Sequence, residues 1–214
     1  MAVLNSFQKL TRVLSGQPFG NGANGTLTIS GNTTQSVANA SCSGTSGTTA
    51  LTLGAASTFA NNDVVLIHQT RGTGAGQWEI NRISSGGVGT SLTLQVALNY
   101  TYTDSGSSQA QVYAISMYTT VTVNSGITWS APEWDGNVGG LLLFAAKTSA
   151  TINGSISTNG RGFRGGAGGP QSGASGGTQG EGSGGAGSVS ASANGNGGGG
   201  GGANTSPDNW GGAG

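Results

Sequence analysis

The sequence predicts an all-β protein: a β-sandwich or barrel with β-solenoid-like rungs, preceded by a short N-terminal helix and followed by a glycine-rich segment of polyproline II type. Three observations predict it. Runs rich in Thr, Val, Ile and Leu recur at intervals of roughly ten residues, separated by clusters of Gly, Ser, Asn and Asp. Only the first stretch of the chain carries helical periodicity. Finally, 24 of the 55 residues from Gly160 to Gly214 are glycine, so that segment has almost no side chains from which to build a core.

Three regions follow: 1–25, 26–159 and 160–214. In the first, Val3, Leu4, Phe7, Leu10, Val13 and Leu14 fall near helical spacing, and Gly16, Pro18 and Gly20 end the pattern. Ala2–Leu14 therefore reads as a short amphipathic helix. Its apolar face needs a cover, either the chain's own β domain or a partner subunit, and Phe7, Leu10 and Leu14 are the partner-binding candidates. Polar Asn5, Ser6, Gln8 and Lys9 interrupt the apolar residues, so the start does not read as a signal peptide. No apolar stretch is long enough for membrane insertion.

The second region reads as strands at Thr26–Ser30, Thr49–Leu53, Asp63–Gln69, Gln77–Ile83, Ser91–Leu98, Gln109–Tyr118, Thr120–Val123, Gly140–Ala146 and Ala150–Ile156. Two styles are present. From Phe59 to about Ser116 the runs are long and suit a small antiparallel barrel or sandwich. Before and after that stretch, short Thr, Ser, Asn and Gly-rich runs such as TVTVNSGITWSAPEWDG and TSATINGSISTNG suit solenoid rungs, with Val121, Val123, Ile127, Ile152 and Ile156 as inward candidates. No strict repeat length emerges.

In the third region Gly162, Gly165 and Gly168 keep a register of three, as do Gly173 and Gly176, and Gly195, Gly198 and Gly201. Polyproline II threads packed side by side want glycine at that spacing. The register slips between these pieces, so the tract is not collagen, and a flexible linker is the other reading.

Composition narrows the function. Charged residues make up 7% of the chain and the net charge is zero, so no basic patch is available and no nucleic-acid partner is expected. Cys42 stands alone and cannot close an intramolecular disulfide. His68 is the one histidine and has no acidic cluster in sequence, which leaves no metal site. No catalytic or cofactor-binding residue is expected, and no cofactor. Glu133 and Asp135 would share one side of a strand, the arrangement a carbohydrate-cutting carboxylate pair needs, but Asp135–Gly136 also reads as a turn with Trp134 packed on the core. The glycines of RGTGAGQWE (71–79) open no helix and read as a wide hairpin loop. Trp129, Trp134 and Trp210 are candidates for sugar stacking or for packing. Phe163, Arg164 and Trp210 punctuate the glycine tract and are the candidates for surface recognition.

The runs GRGFRGGAGGP (160–170), GASGGTQGEGSGGAG (173–187) and GNGGGGGGAN (195–204) resemble the glycine-rich tips of bacteriophage tail-fibre adhesins. The resemblance covers about a quarter of the chain and is compositional. It implies a structural or adhesive fibre protein of a virion, on tail or head, that contributes to attachment at the host surface. It further implies other virion subunits as partners, a bacterial surface glycan or protein as target, and a homo-oligomer, a trimer by analogy. A cellular extracellular filament or matrix protein is one alternative. A polysaccharide depolymerase using Glu133 and Asp135 is the other.

Overall fold

The computed structural model describes residues 20–86, 88–165 and 180–182. The expected N-terminal helix with Phe7, Leu10 and Leu14, and most of the glycine tract with Trp210, lie outside them. Among the described residues there is no helix; twelve strands carry the fold.

Six of the strands close on one another because one face of each is apolar. They are β3 (Asn39–Ser43), β4 (Ala50–Thr58), β5 (Val64–Arg71), β6 (Trp78–Ser85), β7 (Val88–Leu94) and β8 (Gln109–Ala114). They form a closed antiparallel barrel in the order β3-β4-β7-β6-β5-β8. Alternate residues point inward. Val65 and Ile67 of β5, Ala110 and Val112 of β8, Leu51 and Leu53 of β4, and Leu92 and Leu94 of β7 fill the interior with Phe59, Ile83 and Tyr102. Each large apolar side chain fully buried there contributes about 1.5–3 kcal/mol. Cys42 is fully buried among them. Burial, and then the charge of Asp104, push its thiol well above the usual range, so it is an inert core residue.

The other six strands stack in parallel. β1 (Thr26–Ile29), β9 (Ser116–Val123) and β11 (Phe144–Ile152) form one sheet in that order, and β2 (Thr33–Thr34), β10 (Thr128–Ser130) and β12 (Ser155–Ser157) form the other. Each coil thus contributes one strand to each sheet, as in a solenoid. Inward residues stack coil on coil. Ile29, Val123 and Ile152 are aligned, as are Leu27, Val121 and Ala150, and Thr33, Trp129 and Ile156. Hydroxyls bridge the coils outside, Thr26 to Thr120 at 3.2 Å and Thr128 to Ser155 at 2.9 Å. Gly154 sits at a corner where any Cβ would strike the carbonyls of Asn124 and Ile127.

The barrel is an insertion between the first and second coils. A single residue, Ile115, separates β8 in the barrel from β9 in the stack. An apolar cluster of Val64, Ile115, Met117 and Ala145, with Leu66, Ile80 and Leu143, fills the seam. Beside it runs a polar one. Gln109, Gln111 and Tyr113 alternate on the outward face of β8 and meet Asn137, Gly139 and Leu141, every second residue of an irregular segment. Gln111 Oε1 accepts from the Gly139 N–H at 2.9 Å, and its Nε2 donates to the Gly139 carbonyl at 3.1 Å. Tyr113 donates its hydroxyl proton to the Leu141 carbonyl at 2.9 Å. Gln35 continues the row by donating to the Leu143 carbonyl at 2.8 Å and accepting from the Leu143 N–H at 3.1 Å.

Several expectations change. The barrel begins at Asn39 rather than Phe59. β3, short and rich in Ser and Asn, carries too little apolar periodicity to be read as a strand. The run Gln109–Tyr118 is two strands, because the chain passes from barrel to stack at Ile115. Of the inward rung residues, Val121 and Val123 are fully buried, but Ile152 and Ile156 are 39% and 40% exposed. They belong to the third coil, and no further coil among the described residues covers them.

Gly139 has φ +103°, and a Cβ there would overlap the Glu133 carbonyl. Gly139→Ala is expected to lower the unfolding free energy by about 1–3 kcal/mol. Gly106→Ala, at φ +59° with open space around it, should cost only about 1 kcal/mol, for backbone strain alone. Urea denaturation of the two variants checks the difference.

Candidate functional site: an apolar cleft and a carboxylate latch on the barrel flank

The register of β5 against β6 places His68 opposite Trp78 and Leu66 opposite Ile80. All four side chains fall on the outer face of the barrel, since their neighbours Val65 and Ile67 fill its interior. The segment held by the glutamine row passes in front of this face and supplies Leu141, Leu143 and Phe144. Between the two walls, with Ile115 also lining it, is a cleft of about 380 Å³. Its lining is aliphatic and aromatic except for His68. Trp78 remains 57% exposed. Such walls offer dispersion contact and exclusion of water to an apolar group, and few polar atoms to orient a polar one.

His68 joins this cleft to a second feature. Phe163 packs its ring 5.4 Å from His68 and 4.9 Å from Trp134, edge-on to the latter. Against them lies Glu181, only 5% exposed. Its Oε2 accepts from the Trp134 indole N–H and from the Arg164 main-chain N–H at 2.9 Å, and its Oε1 is 3.4 Å from Arg71 Nη1. Arg71 is itself oriented by donating from Nε to the Ser107 carbonyl at 2.8 Å. Residues 180–182 are also pinned through their backbone. Glu181 N–H donates to the Arg164 carbonyl at 2.9 Å, and Gly182 N–H donates to the Thr70 carbonyl at 2.7 Å. Gly182 has φ +88° and a Cβ there would sit 3.1 Å from the Phe163 ring, so the site requires glycine. A buried carboxylate with three donors is a strong anchor, because removing any donor leaves charge without compensation.

Burial holds the His68 imidazole down at about 4, partly offset by a hydrogen bond to the Gly182 main chain. It is therefore neutral at pH 7, and its buried Nδ1 has no hydrogen-bond partner.

The sequence candidates are distributed as follows. Phe163 is half-buried in the cluster, and the Arg164 side chain is exposed beside Gly136. Trp129 and Trp134 are buried, Trp129 against Phe144 at 5.1 Å, so neither ring is open to stack on a sugar. Glu133 is exposed and lies 3.6 Å from Arg161. Asp135 Oδ1 accepts from the N–H groups of Asn137 and Val138 at 2.7 and 2.8 Å and closes a turn. The RGTGAGQWE run is the β5–β6 hairpin loop, with Gly72, Gly74 and Gly76 all at positive φ. Among the described residues no group of three His, Cys, Asp or Glu could hold a metal, and no helix is long and apolar enough to cross a membrane. Sequence reasoning missed Trp78 and Glu181. The Trp78–Ile80 alternation beside Leu66 and His68 is the signal that could have found the first. A lone acid among glycines is the signal for the second.

Two outcomes follow from this geometry. Glu181→Ala strands the Trp134 indole N–H and the Arg71 guanidinium, and should weaken docking of residues 180–182 by about 1–3 kcal/mol. Faster amide exchange at Glu181 and Gly182, with barrel amides unchanged, reads this out. Stability should also depend on His68. The unfolded imidazole takes a proton near pH 6.5 and the folded one only near 4, so between those values unfolding takes up a proton. The His68 contribution is complete above about pH 6.5 and is lost as pH falls toward 4. His68→Gln should flatten that part of a pH–stability curve measured by urea denaturation.

No protein-family model matches this sequence, and no curated protein matches it. Among solved structures the chain is similar to the tailspike of Pseudomonas phage phi297, with a TM-score of 0.32 and 15% identity over 62% of this chain. The chain spans 25% of that tailspike's length.

Proposed function

We propose that this chain is a structural and adhesive component of a virion, a fibre or tail protein of a bacteriophage that contributes to attachment at the host surface. The observation that carries this reading is the fastening of the glycine-rich region to a rigid β body. Phe163 and Glu181, eighteen residues apart within that region, are both locked onto the barrel flank. These two points give the region a fixed attachment to the scaffold. The body suits the task. It combines stacked parallel coils with a closed barrel, and it carries few charges, so salt alters its contacts little. In this reading the partners are other virion subunits and copies of the same chain, a trimer by analogy, and the target is a bacterial surface glycan or protein. The turn-closing role of Asp135 and the ion pair of Glu133 leave the depolymerase reading without a specific observation in its favour.

Antibody labelling of intact particles, imaged by electron cryo-microscopy, tests the assignment. Label on the tail or fibres of particles is the expected result. Label on filaments of uninfected cells, and none on particles, would overturn it.

A further inference from the structure

The cleft on the barrel flank leaves an apolar lining and a tryptophan in contact with water, and the position of Gly20 points to what covers them. We propose that residues 2–14 of this chain, the amphipathic helix predicted from sequence, seat their apolar stripe in this cleft.

Gly20 is the first described residue. Its N–H points to Met117 Sδ at 3.2 Å, and it abuts the main chain at Ala146 and Lys147. Met117 belongs to the same apolar cluster as Leu66, Ile80, Ile115 and Leu143, four of the cleft-lining residues. Phe144, a fifth, is two positions from Ala146, about 7 Å along the strand. The chain preceding Gly20 therefore starts at the margin of the cleft. Residues 15–19 reach up to about 17 Å, and a helix over 2–14 is about 20 Å long. Both lengths suit a short reversal onto the barrel flank.

The chemistry matches as well. Val3, Phe7, Leu10 and Leu14 are spaced four, three and four apart, which places them on one helix face, while Lys9 and Arg12 fall on the opposite side. A helix laying such a stripe into an apolar groove is a recurrent mode of recognition. In this arrangement Phe7, Leu10 and Leu14 face the chain's own barrel, Trp78 is covered, and the charged face of the helix meets solvent.

The test uses the full chain with a photoreactive benzoyl-phenylalanine in place of Leu10. After irradiation, cross-links within one chain to Leu66, Trp78, Ile80 or Leu143 are expected. Cross-links to a second copy, cross-links to Ile152 or Ile156 at the open coil end, or no cross-link would each overturn the proposal. In parallel, Leu10→Asp changes a residue outside the barrel and stack. It should speed amide exchange at Leu66, His68 and Ile80 about tenfold or more, the size expected when one buried leucine is lost. Unchanged exchange at those amides would overturn the proposal as surely.

Discussion

Segment 137–143 has no strand to pair with, yet it lies against the barrel where water cannot reach all of its amides and carbonyls. The glutamine and tyrosine side chains on β8, with Gln35, stand in for the missing strand. A primary amide carries a donor and an acceptor at about the separation a peptide group offers, so Gln111 and Gln35 each close a two-way pair with one residue of the segment. The net gain per bond is small, but an unmade bond at a buried group costs more than a made one contributes. Everything at the seam depends on this row. It sets the path of residues 137–143, which forms one wall of the cleft, and it ties the second coil to the barrel inserted before it.

The same device appears at the end of the barrel. Gln69 is fully buried, donates to the carbonyls of Arg71, Thr103 and Gln109, and accepts from the Thr103 N–H at 2.8 Å. Buried amides thus do the work that buried ion pairs do elsewhere, without the desolvation cost of a full charge. This accounts for a low-charge chain that still satisfies irregular backbone. Buried charges are few among the described residues, and Glu181 is one of them, with Glu79 and Arg82. The Glu181 carboxylate is buried because three donors converge on it, and they belong to three distant parts of the chain.

The flank of the barrel is where these threads meet. Gly20 reaches the seam at Met117, Phe163 packs beside His68, and Gly182 pairs with Thr70, two residues from His68 on β5. Gly20, Phe163 and Gly182 therefore all meet the body at or beside the seam and the β5 flank of the barrel. An adhesive role for the glycine-rich region would rest on this convergence, since it gives that region a rigid base.

Much of this was legible in the sequence, and the reasons are local. Alternation in DVVLIHQ and QVYAIS announces strands with one buried face; Thr, Ser, Asn and Gly in TVTVNSG and TINGSIS announce rungs and corners; Asp135 before Gly136 announces a turn. These follow from period-two side-chain geometry and from backbone preferences that each residue carries with it. β3 was not legible, because Asn39–Ser43 becomes a strand only when β4 and β8 pair on either side of it. Rung-like runs on both sides of a barrel-like stretch were legible, but not that they join into one stack, which rests on pairing between residues about ninety positions apart, such as Thr26 with Thr120. The cleft and the Glu181 latch have the same origin. Each is assembled from residues that lie far apart in the chain, and no local preference encodes a juxtaposition that exists only after the barrel has closed and the coils have stacked.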